Sequence, residues 1–496
     1  MKKIIIIGGG ISGLIAGIYA QKAGYETVIY ERNAVPGGEC TGWERQGFHI
    51  DGCIHWLTGT QKGSGLYEIW KESGGLEEGE IYRPEYYIKG QYEGTEVTLF
   101  RDLEKLKQHL LEIAPEDEKE IKHLCKYINI FATEKSFDYL AHKPMDLMGF
   151  FDKIKFYMAM MKSGMVINKL GKITLGEYLQ RFSNPAVRIT LGSFLPESFC
   201  AYVLHTTLGT FVSDNGDQPQ GGSRAFALRI AEKYRELGGK IKLNSEVDKI
   251  IVEDNTARGV ILSKNNKNEK VKDLADYIIP ACDTDITFQK LLDGKYNDPE
   301  FTKRYQDQEK YPLTSSVLVA LGVEADLSAY PECLVFQTEE FSFEDTQKDI
   351  ISYKHYCHEP SFAPEGKSVL NVTFKADCDW WQQFARDKKA YNKEKQRLGR
   401  EVVTRMENKY PELAGKIKII DVATPLTFER YCGAYKGSWM SFGITPDGEQ
   451  LRHDGQLEGL DNLFLAGQWL MSPGGLPVAA LTGKWVVQRI NEQEGK

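Results

Sequence analysis

The chain has 496 residues, 42% of them hydrophobic and 27% charged, which is too long for one ordinary core and predicts a soluble protein of two or more domains. A formal charge of −8 and a pI near 5.8 exclude the basic footprint of a nucleic-acid partner. Nine cysteines run from Cys40 to Cys432 with no CxxC pair, which predicts reduced thiols in a cytoplasmic protein rather than a disulfide framework or a zinc site.

The opening residues, MKKIIIIGGGISGLIAGIYA, admit two readings. Two lysines before an apolar run resemble a secretory signal, but that signal needs a continuous apolar helix. The run breaks at Gly8-Gly9-Gly10, where a helix is costly. The alternative is a buried strand Ile4–Ile7, a glycine turn, a helix from Ser12 to Ala23 and a second strand Glu26–Tyr30. Gly8, Gly10 and Gly13 then have G-x-G-x-x-G spacing, and Glu31 follows Gly13 by 18 residues. Each part has a role in holding a dinucleotide. Gly8 makes the turn, Gly10 admits a pyrophosphate, and Gly13 lets helix and strand approach. The free N–H groups around Ser12 face the phosphates, and Glu31 accepts from a ribose. Small residues Gly13, Ala16, Gly17 and Ala20 form a face for close packing on the sheet. The strand–turn–helix–strand–acid order favours the dinucleotide.

After Glu31 and Arg32 comes VPGG, with Gly37 and Gly38, then ECTGWERQGFHIDGCIHWLTG. This stretch resembles the extended signature of the two-dinucleotide-binding-motif flavoproteins. QPQGGSRAFALRIAEKYRELGG reads as a loop and an amphipathic helix, followed by strands in KIKLNSEVDKIIVE, ARGVILS and ADYIIPAC. At the C-terminus a strand Leu463–Ala466 meets Gly467, and a helix Pro477–Ile490 follows Gly474-Gly475. With both ends in view, the chain resembles the carotenoid desaturase, carotenoid isomerase and retinol saturase group of FAD proteins. GFHIDGCIHWLTG is most similar to the saturase and isomerase branch.

The resemblance implies FAD as cofactor, held by Gly8, Gly10, Ser12, Gly13, Glu31, Arg32, Gly37, Gly38, Glu39, Val247, Gly467, Gln468 and Val478. Glu39 stands where a basic residue is common in these families, and Gln468 where many have Asp. The implied fold is α/β: a discontinuous Rossmann-like FAD-binding domain (1–85, 216–300 and 426–496) plus an α+β substrate domain (86–215 and 301–425) with an antiparallel sheet and a helical lid. Residues 101–185 read as mostly helical, and SSVLVALGVEA, ECLVFQ, DIISYKHYC and SVLNVTFKAD as antiparallel strands. Lys388–Tyr410 reads as a solvated helix.

Six of the ten methionines lie between Met145 and Met165, interleaved with Phe150, Phe151, Phe156 and Tyr157. Such a segment suits a lid over a greasy substrate that touches a membrane surface, or a helix packed into the second domain. His55, which the resemblance places near the flavin, is a candidate for proton transfer or a structural histidine. Trp56, Tyr431, Tyr435 and Trp439 are candidate walls of a substrate cavity. No cluster of ligands suggests a metal. The resemblance implies an FAD-dependent oxidoreductase that desaturates, saturates or isomerises a hydrophobic polyene or isoprenoid-like substrate, cytoplasmic or at a membrane surface. The alternatives are an amine oxidase-like flavoenzyme and a non-catalytic prenyl- or lipid-binding escort protein.

Overall fold

The computed structural model describes residues 1–76, 81–263 and 270–496. Residues 77–80 and 264–269, within the expected segments 1–85 and 216–300, lie outside the described residues.

The isoleucine-rich strand Lys3–Ile7 sits at the middle of the first sheet, and Ile4, Ile5 and Ile6 have no exposed surface. It pairs in parallel with Glu26–Tyr30 on one side and Tyr277–Pro280 on the other. Lys240–Lys242 extends one edge in parallel and Leu460–Phe464 the other, so four segments far apart in sequence build one parallel sheet. A strand buried on both faces must be apolar throughout, which is why no alternation is visible in IIII. Beyond Leu460–Phe464 the sheet continues into Thr256–Leu262, flanked by antiparallel partners Val247–Glu253 and Val271–Leu274. The last of these was not expected from sequence, since VKDL is short and mostly exposed.

Helix Ile11–Lys22 packs against helices Gly222–Glu236 and Gly475–Gln493. Its small-residue face serves two contacts rather than one. A Cβ on Gly13 would stand 2.1 Å from the Gly8 carbonyl oxygen, so Gly13 is the contact with the sheet side. A Cβ on Gly17 would lie 2.6 Å from the Tyr234 ring, so Gly17 faces the neighbouring helix instead. Tyr234 is fixed there by a 2.6 Å hydrogen bond between its hydroxyl and that of Thr27.

The second sheet has the order Ile417–Ala423, Ser315–Val323, Ser368–Ala376, Thr346–His355, Cys333–Phe343, Tyr86–Tyr92, Thr95–Phe100. All its pairings are antiparallel except that between Cys333–Phe343 and Tyr86–Tyr92. Most helices between Leu103 and Val212 share a separate apolar cluster beside it, while Leu140, Ala141 and Phe156 join the core of the first sheet, and helix Lys388–Lys409 covers the outer side of the second sheet. Among the described residues no helix is long and apolar enough to cross a membrane.

Helix Phe150–Leu170 has two apolar faces. Phe156, Ser163, Val166 and Leu170 are buried, while Phe151, Met158, Met161 and Met165 are 75%, 70%, 63% and 64% exposed. With Ile154, those outer residues follow a three–four spacing, one stripe along the helix. Exposed Lys155, Lys162 and Lys169 run beside it at intervals of seven.

Candidate functional site

The carboxyl ends of the parallel strands open onto one cavity of about 960 Å³, the place where open α/β sheets bind ligands. Gly8, Gly10, Ser12, Glu31, Arg32, Gly37, Gly38, Glu39, Val247, Gly467, Gln468 and Val478 all line it. Gly13 does not, because it faces Gly8 and Ile6 behind the turn.

The cradle is assembled by backbone hydrogen bonds. Gly9 N donates to Glu31 Oε2 at 2.7 Å and Asn33 N to Glu31 Oε1 at 2.8 Å, so the buried carboxylate pins the glycine turn. Gly37 N donates to the Gly9 carbonyl oxygen at 2.8 Å. Gly38, with φ +62°, lies so close that a Cβ would be 3.1 Å from Gly10 Cα. Ser245 N donates to the Glu31 carbonyl oxygen at 2.8 Å, which brings Val247 to the Glu31 end of the cavity. Arg32 reaches the Arg430 carbonyl oxygen at 3.0 Å.

These features fit a dinucleotide. Helix Ile11–Lys22 begins at Gly10 with no side-chain cap, leaving its first N–H groups open toward the cavity. The buried Ser12 hydroxyl beside them has no partner. A pyrophosphate supplies the acceptors that both lack, and the free lone pairs of Glu31 can accept from ribose hydroxyls. Helix Gly475–Gln493 also starts at a glycine at the cavity wall, two residues before the expected Pro477, and its partial positive charge faces inward.

Between the two cradles, Gln468 Nε2 donates to Glu39 Oε2 at 2.7 Å and Gln468 Oε1 accepts from Gly475 N at 2.8 Å. Glu39 therefore meets an amide rather than a cation. Burial, reinforced by the Asp283 carboxylate, pushes Glu39 up to about 8 despite the Gln468 hydrogen bond. Burial also raises Asp283 to about 7, against hydrogen bonds from Tyr435 N, Asp285 N and the Tyr305 hydroxyl.

Farther along the cavity stand His55, Trp56 and Trp439. His55 is accessible where it lines the cavity, and its backbone carbonyl accepts from Lys354 Nζ at 3.1 Å. Burial, helped by the Lys354 charge and opposed by Asp51, lowers the imidazole to about 4. At neutral pH it is an uncharged base. The segment carrying His55 is held by Asp51, whose carboxylate accepts from Ser223 N at 2.7 Å and from the Ser223 hydroxyl at 2.5 Å.

Two expected wall residues are elsewhere. Tyr431 is 53% exposed, beneath the Arg430 guanidinium, and does not line the cavity. Tyr435 packs its ring 4.7 Å from that of Tyr305, with its amide tied to Asp283. Sequence alone could not separate them from Trp439, because the segment has no periodic pattern. Three polar wall residues were missed: Lys354, Glu332 and Asp283. Asp283 follows the end of a parallel strand, a position that could have marked it. Ser352 and Lys354 lie on Thr346–His355, a strand with more polar than apolar residues in which Lys354 is buried between buried neighbours, so the sequence carried no signal for them.

Glu39 and Asp283 keep protons in the folded chain that the unfolded chain, with ordinary values of 4.5 and 3.8, releases. The contribution of these two groups to the stability of the FAD-free protein is thus full at the acid end and is lost as pH rises toward about 8, by up to ~1.4 kcal/mol per pH unit per group. Urea unfolding between about pH 6.5 and 8, above the range in which the buried neutral histidines act in the opposite sense, should show this fall, and Glu39→Gln should flatten it. An unchanged slope in the variant contradicts the assignment.

Comparison with known proteins gives the site its setting. A profile of flavin containing amine oxidoreductases matches residues 11–491. The chain is 25% identical to 4,4'-diaponeurosporene oxygenase of Staphylococcus aureus, over 100% of this chain and 99% of that protein. It is 24% identical to chloroplastic prolycopene isomerase of Daucus carota, over 98% of this chain and 79% of that one. Among solved structures, an oxidoreductase from Methanosarcina mazei superposes with a TM-score of 0.61 at 15% identity, covering 99% and 100% of the two chains. Cyclohexylamine oxidase from Brevibacterium oxydans gives 0.60 at 16% identity, covering 100% of both. These likenesses show the shared fold. The chain belongs to the flavin-containing amine oxidoreductase family, and FAD is its cofactor.

Proposed function

We propose that this oxidoreductase acts on carbon–carbon bonds of a long hydrophobic, polyene or isoprenoid-like substrate, by desaturation, saturation or isomerisation. One observation carries the reading: a single cavity runs from the dinucleotide cradle, past His55 and Trp56, to the inner face of helix Phe150–Leu170, where Phe156, Met160 and Ile167 line it. A long apolar chain loses its hydration in such a space, at roughly 25 cal/mol per Å². The relatives named for diaponeurosporene and prolycopene support a polyene.

The segments 1–85, 216–300 and 426–496 serve as the FAD-holding unit, and the glycines of the cavity wall, Glu31 and Gln468 as its contacts. When bound, FAD supplies reversible acceptance of two electrons. The chain orients the substrate, excludes water and, through the neutral His55 imidazole, accepts a proton at the cavity wall. The outer stripe of helix Phe150–Leu170, flanked by its lysines, rests on an anionic membrane surface, which is also where such a substrate dissolves.

Incubation of the FAD-loaded protein with retinol or a lycopene isomer, with and without oxygen, should change the unsaturation or isomer composition of the polyene seen by chromatography. His55→Phe should lower turnover about 10²–10⁴-fold while FAD content is unchanged. Unchanged polyenes together with peroxide release from amines would overturn the reading in favour of amine oxidation. Cosedimentation with phosphatidylcholine–phosphatidylglycerol vesicles should weaken on the order of a hundredfold when Phe151, Met158 and Met161 are all changed to Ser. Equal sedimentation of variant and wild type contradicts the membrane contact.

A further inference from the structure

A pocket for a pure hydrocarbon has no need of a buried cation, yet Lys354 is 6% exposed and lines the cavity. It lies on the antiparallel strand pair Cys333–Phe343 and Thr346–His355, directly opposite Cys333. Its ammonium has three donors. One goes to the His55 carbonyl oxygen at 3.1 Å, and the Tyr356 ring lies 5.2 Å away. Among the described residues no carboxylate is within ion-pair distance. Glu332, next to Cys333, attracts the ammonium through space, but its oxygens accept from the Tyr82 hydroxyl at 2.7 Å and Gln218 Nε2 at 3.3 Å.

Another donor, this one with no acceptor at all, belongs to the same cavity wall. The Tyr87 hydroxyl is buried and unpartnered, and its residue lines the same cavity. Its ring is wedged between Trp56 at 5.3 Å and Phe194 at 4.6 Å, so the hydroxyl cannot swing to solvent. The Lys354 ammonium meets the His55 carbonyl and the Tyr87 ring packs on the adjacent Trp56, and the strand Cys333–Phe343 pairs with both of their strands, which places the two donors in one region. Buried donors left without acceptors cost about 1–3 kcal/mol each, more for a charge. Fixed by packing in a stretch of the wall that also holds Ser352, Thr373 and Glu332, they mark where a ligand brings an acceptor.

We infer that Lys354 and Tyr87 form a subsite for a carboxylate at the end of the hydrophobic ligand, so that the chain takes a polyene or isoprenoid acid. The inference rests on the polyene reading above. Burial pushes the lone ammonium down, and a bound carboxylate offsets that by restoring a close negative partner. The apolar chain of the ligand then runs past Trp56 toward the FAD cradle, and the acid group fixes which bond reaches the reacting end.

The test is a pair of dissociation constants for the full-length, FAD-loaded protein, read by quenching of tryptophan fluorescence. One ligand is all-trans-retinoic acid, and the other is the same polyene with a methyl group in place of the carboxyl. The acid should bind at least about tenfold more tightly, and Lys354→Met should abolish that preference without changing the hydrocarbon. Tyr87→Phe should reduce the preference by a few-fold and decides the matter if the lysine variant fails to retain FAD. Equal affinity of the two ligands in the wild type, or equal weakening of both by the substitutions, overturns the subsite alone. Failure of both ligands to bind overturns the polyene reading and this inference with it.

Discussion

The turn between the first strand and the first helix leaves no room for side chains, and the rest of the site depends on it. Gly13 touches the Gly8 carbonyl, and Gly10 lies against Gly37 and Gly38. The Glu31 carboxylate ties the turn to the end of the second strand. Because the helix begins at a glycine without a cap, its N–H groups remain available to a ligand instead of to its own side chains. A second helix starts at Gly474 and Gly475, where Gln468 takes the first N–H, so two helix N-termini face one cavity from different ends of the sequence.

Around that frame the charges are arranged to be neutral where the cavity is deepest. Glu39 and Gln468 form a hydrogen bond that needs no cation, and burial keeps the acid protonated into the neutral range. His55 is held neutral by burial in the opposite sense. Uncharged groups that can still exchange protons suit a cavity from which water is excluded. Lys354 departs from that pattern, a buried cation with a single hydrogen-bond acceptor in a wall that also holds Glu332.

How much of this was legible in the sequence follows from how local each signal is. The dinucleotide cradle was readable because its strand, turn, helix and acid occupy one short stretch with fixed spacing. The parallel partners Tyr277–Pro280 and Leu460–Phe464 needed the family resemblance, since nothing in their letters says that they pair across the chain. The helix Phe150–Leu170 was visible as a methionine-rich segment, but whether its greasy side was buried or bare depended on tertiary packing, and it proved to be both. Tyr435 and Lys354 show the limit: an aromatic expected in the wall packs behind it, and a lysine in a strand turns inward. Side-chain direction in irregular segments and on sheet faces is set by neighbours hundreds of residues away.

The central claim is that cofactor and polyene share one cavity, and the most direct measurement is the visible absorption spectrum of the bound flavin during titration with a polyene that absorbs only in the near ultraviolet, such as retinol. Shifted flavin bands that saturate together with tryptophan quenching are the predicted result. Quenching that saturates while the flavin bands stay unmoved and the flavin remains unreactive would contradict it, because the polyene would then be bound away from the cradle.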